Sequence, residues 1–171
     1  MGSIPAARRF LEATTSIASQ LETFDATALR GLNILAAYPG RLVARLPLNS
    51  ARANAYGTAH GGLIATAVDV VSSAALHTVR AASGVSVSLS VDYLAAVPVL
   101  GDEDGDGSEA APSLVFDARV VKAGRSLAVL AVDVRRGSEA GPLVAQGRHT
   151  KFVAAQEAAG RRAAAGPRAR L

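Results

Sequence analysis

From His60 to about Arg80 the chain runs through a stretch rich in Ala, Leu and Val that, as a helix, is apolar nearly all round. At 1.5 Å per residue such a helix reaches about 30 Å, enough to cross a small domain. A helix that is apolar nearly all round has to be covered on every side. The densest part, Leu63 to Leu76, is too short for a membrane span and carries Asp69 at its middle, with Thr66, Ser72 and Ser73 beside it. The cover is therefore expected from a curved sheet of the same chain.

The flanking segments supply that sheet. In 85–93, Val85, Val87, Leu89, Val91 and Tyr93 alternate with Ser86, Ser88, Ser90 and Asp92, the period of a strand, without a break. Residues 113–122, 126–136 and 143–153 complete a set of four, with turns expected at Gly124 and at Gly141-Pro142. Upstream, Pro39-Gly40 separates 32–37 from 41–48, a hairpin signal. Phe10, Ile17, Leu21 and Phe24 recur at helical spacing, which predicts one amphipathic helix over 5–24. The order predicts an α+β fold, an antiparallel sheet wrapped around a long central helix. Residues 1–24 form an N-terminal helical extension, 25–153 the domain, and 154–171 a basic flexible tail.

At 171 residues, 50% of them hydrophobic, and with a mean hydropathy of +0.26, the chain has material for one packed domain. The absence of cysteine excludes a disulfide scaffold, a thiolate nucleophile and Cys-based zinc, and suits an intracellular compartment. A pI near 10.1 invites a nucleic-acid reading. The formal charge of +4 is, however, matched by Arg161, Arg162, Arg168 and Arg170 in the tail, which leaves the body neutral. A neutral body lacks the basic face that phosphate backbones require.

Asp69 is the strongest chemical signal. Burying a charged carboxylate costs several kcal/mol unless partners or water compensate. It is either a structural residue bonded to Ser72, Ser73 or the backbone, or a catalytic base or nucleophile in a cleft. His60-Gly61-Gly62 opens the helix, where glycine permits close approach and free N–H groups favour developing negative charge. A thioester oxyanion would suit that place.

Asn54-Ala55-Tyr56-Gly57-Thr58-Ala59-His60-Gly61-Gly62-Leu63, followed by Asp69, resembles the signature of small hotdog-fold acyl-CoA thioesterases. Within them it is similar to the thioesterase-superfamily-member and phenylacetyl-CoA thioesterase branch. The likeness continues through Gly84-Val85-Ser86-Val87, Asp92-Tyr93-Leu94, Lys122-Ala123-Gly124-Arg125 and Gln146-Gly147-Arg148-His149-Thr150-Lys151, spanning roughly 20–153. The resemblance implies hydrolysis of an acyl-CoA to free acid and coenzyme A without metal or redox cofactor. It implies that the Gly61 N–H and Asn54 polarise the carbonyl while Asp69 activates water, with direct nucleophilic attack as the minor alternative. Ser86 would orient that water, and His60 and His149 would lie near the leaving thiolate. It also implies a homodimer at least, with a homotetramer expected, and a site shared between subunits.

Each role has a plainer counterpart: Ser86 as one of several solvated hydroxyls with Ser88 and Ser90, His149 as an exposed strand-end residue, His60 as a helix cap. Lys122, Arg125, Arg148 and Lys151 are candidates for the coenzyme A phosphates at the mouth of the site. The loop 101–112 is acidic and Gly-rich, and Asp102, Asp104, Asp106 and Gly107 match the opening of a calcium loop. Ser113 stands where that loop needs Glu, and strands flank it, so no metal is expected. The same loop is longer than the corresponding turn of the family. The rival functions are another hotdog thioester chemistry, such as hydratase or dehydratase, and a non-catalytic acyl-CoA sensor. A DNA-binding sensor would need a helix-turn-helix, and one N-terminal helix is too little.

The N-terminus has no long apolar core for a secretory signal, and Ala6 breaks the myristoylation pattern begun by Gly2. The first 20 residues hold one acid, Glu12, which keeps a mitochondrial leader open. The chain ends Ala169-Arg170-Leu171, the chemical pattern of the Ser-Lys-Leu peroxisomal address. A peroxisome-type matrix and its import receptor are therefore expected, with cytoplasm or mitochondrion as alternatives.

Overall fold

The computed structural model describes residues 2–15, 23–80, 84–99 and 112–153. Along the chain they form α1 (Ile4–Thr15), α2 (Phe24–Ala28), β1 (Asn33–Tyr38), β2 (Arg41–Pro47) and a 3-10 turn at Ser50–Arg52. Then come α3 (Gly61–His77), β3 (Val85–Tyr93), β4 (Ser113–Ala123), β5 (Leu127–Arg136) and β6 (Leu143–Phe152). The six strands make one sheet in the order β1-β2-β4-β5-β6-β3, antiparallel throughout.

Helix α3 is buried as its composition requires. Val68, Val71, Ala74 and Ala75 join Leu42, Ala44 and Leu46 of β2 and Leu114, Phe116 and Ala118 of β4 in one core. Phe116 is the largest fully buried side chain, and truncating such a residue to alanine costs about 3–5 kcal/mol. Against β6 the helix comes closer still. A Cβ on Gly147 would lie 2.4 Å from Val68 Cγ1, so only glycine lets the two elements meet there. No helix among the described residues is long and apolar enough to cross a membrane.

The helix ends at His77, short of the expected Arg80, because Thr78 terminates it. Its hydroxyl donates to the Ala75 carbonyl at 2.7 Å and accepts the Gly40 N–H at 2.8 Å, tying the hairpin to the helix end. Gly40 takes φ +79°, the left-handed turn that Pro39-Gly40 encodes.

The N-terminal helix also departs from expectation. Its inward face is Ala7 and Leu11, buried against α3, with Phe10 stacked on His77 at 4.6 Å between ring centroids. Ile17 and Leu21 lie outside the described residues. Phe24 does not continue α1: Thr23 is extended at φ −73° and ψ 158° and caps the separate helix α2 by accepting the Ala26 N–H. A Thr that caps competes with helix continuation, and periodicity alone does not register it.

Strand β3 lies at the sheet edge and is exposed along most of its length on both faces. Its pairing with β6 is interrupted at Val87: Ser86 faces Lys151, Ser88 faces Thr150, and Val87 is the extra residue of a bulge. The acidic segment 101–111 and the tail 154–171 lie outside the described residues. Ser113, the would-be calcium position, sits buried in β4 and accepts from Arg45 Nε at 3.0 Å.

Candidate active site

The candidate residues fall into two groups, one midway along α3 and one at its start. Midway, Asp69 keeps 42% of its side chain exposed although its helical neighbours are buried. Its Oδ1 accepts the Ser73 hydroxyl at 3.4 Å and lies 3.6 Å from His149 Nε2 and 3.7 Å from Lys151 Nζ. The two basic residues come from the inward face of β6, which also carries Ala145 and Gly147. The carboxylate is thus anchored on one oxygen while the side chain stays open to water.

His149 is fully buried, not an exposed strand end. Its Nδ1 lies 2.7 Å from Ser72 Oγ and its Nε2 2.9 Å from Ser86 Oγ. Ser72 spends its own proton on the Asp69 carbonyl at 3.0 Å, so it accepts from Nδ1–H, and Nε2 is left to accept from Ser86. Burial first, then the Lys151 charge, push the imidazole down to about 4, against the opposing pull of Asp69. At neutral pH it is uncharged.

Ser86 reaches this ring because of the bulge. Residues directly opposite one another share a face, so Ser86 joins Lys151 on the helix side, whereas Ser88 and Ser90 pair with outward Thr150 and Arg148. Ser86 is exposed like Ser88 and Ser90 but also bonds the buried His149, which the unbroken alternation of the sequence hides.

Lys151 does not fit the role expected for it. It is 6% exposed and donates to Ser73 Oγ at 2.9 Å, so its ammonium is committed inside the fold and unavailable at the mouth to coenzyme A phosphates. Lys122, Arg125 and Arg148 are exposed, with Arg148 and Lys122 on the outward sheet face opposite Ala131 and Val129.

At the start of α3, His60 is the N-cap: its Nδ1 accepts the Gly62 N–H at 2.9 Å. The accepting nitrogen carries no proton, so Nε2–H points elsewhere as a donor. Asn54 organises the loop before it. Its Oδ1 accepts from the N–H groups of Tyr56 and Thr58 at 2.9 and 3.2 Å, and its Nδ2 donates to Thr58 Oγ1 at 2.9 Å. Asn54, Gly61 and Tyr93 line a cleft of about 360 Å³. Tyr93 was not singled out as a site residue from the sequence, yet its hydroxyl donates to the Gly61 carbonyl at 2.8 Å and its ring would meet a Cβ there at 3.3 Å. A second, larger cleft of about 560 Å³ opens on the other side of His60 and Gly62, walled by Phe24, Thr27 and Ala28 of α2.

The fold brings Asp69, Ser86 and His149 together but keeps them from Asn54, His60 and Gly61. Asp69 lies eight residue steps along α3 from Gly61, a rise of about 12 Å, and lines neither cleft. Asp25 of α2 is a further acid that the sequence reading passed over. Its carboxyl is held above the usual carboxylate range by burial and then by the charge of Asp69. Among the described residues no His, Asp and Glu cluster is arranged to hold a metal.

Comparison with known proteins identifies the family and the fold. A family model described as thioesterase superfamily matches residues 56–102. Human acyl-coenzyme A thioesterase 13 is 38% identical over 123 residues, covering 71% of this chain and 79% of that protein. The crystal structure of zebrafish thioesterase superfamily member 2 superposes with a TM-score of 0.73 at 31% identity, covering 88% of this chain and 98% of that one. A hypothetical thioesterase protein from Streptococcus pneumoniae, solved with coenzyme A, gives a TM-score of 0.62 at 25% identity, over 75% and 89% of the two chains. With a sheet wrapped on one central helix and relatives of this similarity over most of its length, the chain belongs to the thioesterase superfamily and has the hotdog fold.

Proposed function

We propose that the protein hydrolyses acyl-CoA thioesters to a free carboxylic acid and coenzyme A, with Asp69 as general base. The observation that carries this is the half-open carboxylate of Asp69, held on one oxygen inside a helix that is otherwise buried. Water attacks the thioester carbon as Asp69 takes its proton, and Ser86 accepts the water's other hydrogen bond. The oxyanion collects on the Gly61 N–H and Asn54 Nδ2. The C–S bond then breaks and coenzyme A leaves as thiolate, with the His60 Nε2–H available to donate to it. Human acyl-coenzyme A thioesterase 13 and the coenzyme A-bound bacterial structure support the substrate class.

The 12 Å rise between Gly61 and Asp69 favours a site completed by a second copy, in which Asn54, His60 and Gly61 of one subunit meet Asp69 and Ser86 of the other. The edge strand β3, unpaired on its outer side and exposed on both faces, is a natural seam for that homodimer. Exposed Lys122, Arg125 and Arg148 remain candidates for the coenzyme A phosphates.

A panel of acyl-CoAs from short to long and aromatic, followed by thiol release, tests the activity and ranks substrates. Asp69→Asn should lower kcat at least about a hundredfold with KM little changed. A folded Asp69→Asn enzyme turning over at the wild-type rate would end the general-base reading. For localisation, the Ala169-Arg170-Leu171 terminus is proposed as a peroxisomal address. A fluorescent protein extended by residues 160–171 should become punctate, and diffuse fluorescence would dismiss it.

A further inference from the structure

Lys151 is an expensive residue in its place. It is almost wholly buried on the inward face of β6, and desolvation pushes its ammonium below the usual lysine range. An unpaired buried ammonium would cost several kcal/mol, and strand β6 could carry an apolar residue here at no such cost. Among the described residues its partners are Ser73 Oγ at 2.9 Å and Asp69 Oδ1 at 3.7 Å. Ser73 in turn donates to the same Oδ1 at 3.4 Å. Lysine, serine and aspartate therefore close a triangle on one carboxylate oxygen.

The surroundings show which group answers the charge of Asp69. His149 is neutral at working pH and cannot serve as counter-ion. Asp25, from α2, is a like charge. Ser72 and Ser86 are uncharged, and His77, two turns along α3, is itself pushed below its usual range by burial and by the Lys151 charge. Among these groups Lys151 alone brings a positive charge to Asp69.

We propose that Lys151 is a positioning residue for the hydrolysis: with Ser73 it pins Oδ1 of Asp69 and balances its charge, leaving Oδ2 to face the attacking water. This rests on Asp69 being the general base. Lys151 touches neither substrate nor water; it acts through the carboxylate. Pinning one oxygen fixes the plane of the carboxylate, and a base held in one orientation loses less on reaching the transition state.

Lys151→Met conserves length and removes the ammonium. It should lower kcat about tenfold or more with KM within about twofold. A folded Lys151→Met enzyme with wild-type kcat, or one whose loss falls on KM instead of kcat, is what a lysine that merely fills space would give, and that result overturns the proposal. If Lys151→Met does not fold, Ser73→Ala reads the same triangle from the helix side. It should lower kcat with KM unchanged, and a Ser73→Ala enzyme with wild-type kcat overturns the proposal equally. Asp69→Asn, assayed in parallel, separates the two ideas. An inactive Asp69→Asn beside a Lys151→Met with wild-type kcat defeats only the role of Lys151, while an active Asp69→Asn defeats the base itself.

Discussion

Ser86 on β3 stands directly opposite Lys151 on β6, and the extra residue at Val87 is what gives the two a common inward face. Without the bulge, Val87 would take that place and Ser86 would point away from the helix. The hydroxyl instead lies 2.9 Å from His149 Nε2, beside Asp69. Removing it with Ser86→Ala should reduce kcat about tenfold, the worth of one hydrogen bond made in the transition state, and lower stability by about 1 kcal/mol or more, because the buried His149 Nε2 loses its donor. Steady-state kinetics beside a thermal scan check this. Unchanged kcat would exclude Ser86 from orienting the water.

The separation of Gly61 from Asp69 along α3 leads to a complementation experiment. Asn54→Ala and Asp69→Ala subunits should each be inactive alone. A fully exchanged mixture should recover up to about a quarter of wild-type activity, because half the dimers are hybrids with one intact site in two. Absence of recovery in a mixture whose hybrids are demonstrated by mass spectrometry would show that each chain builds its own site.

His149 makes stability depend on pH. Its proton affinity is depressed in the fold, to about 4 from the ordinary 6.5, chiefly by burial. As pH falls below 6.5 the unfolded chain takes up a proton that the folded chain refuses until about pH 4. Stability is therefore complete above 6.5 and is lost across that window, by up to about 3 kcal/mol. The depressed His77 adds in the same direction. Urea unfolding at pH 7.5 and pH 4.5 measures the loss, and His149→Asn should flatten it. An equally steep fall in that variant would assign the effect elsewhere.

Arg52 lines the larger cleft. Its buried guanidinium donates to the carbonyls of Ala28 at 3.2 Å and of Pro47 and Arg30, joining α2 to the end of β2. Arg52→Ala strands three carbonyls and should cost about 3 kcal/mol, on the order of 10 °C in melting temperature for a chain of this size. Calorimetry decides it. A shift within a degree or two would mean that water replaces the guanidinium.

The sequence by itself determined the elements and their layout. A helix apolar all round can only be central, and period-2 segments can only be the strands that cover it, so α3 and β3 to β6 fall within a few residues of where their patterns put them. Asp69 was legible for the same reason, as the acid that breaks an apolar pattern. What the tertiary structure decided is which side chains meet. The bulge at Val87 arises from pairing with β6, about sixty residues away, and leaves no mark on the alternation of β3. Lys151 reads as a solvated strand-end cation until the register turns it inward beside His149, and Gly147 lets α3 come close enough to receive it. The first helix likewise stops before Phe24 because Thr23 caps α2, a local hydrogen bond that outweighs the helical spacing. Periodicity reports which face is buried against the bulk of the core, because hydrophobic burial is non-directional and sums over many residues. Hydrogen-bonded contacts are directional and pairwise, so they are fixed only when register and close approach are fixed.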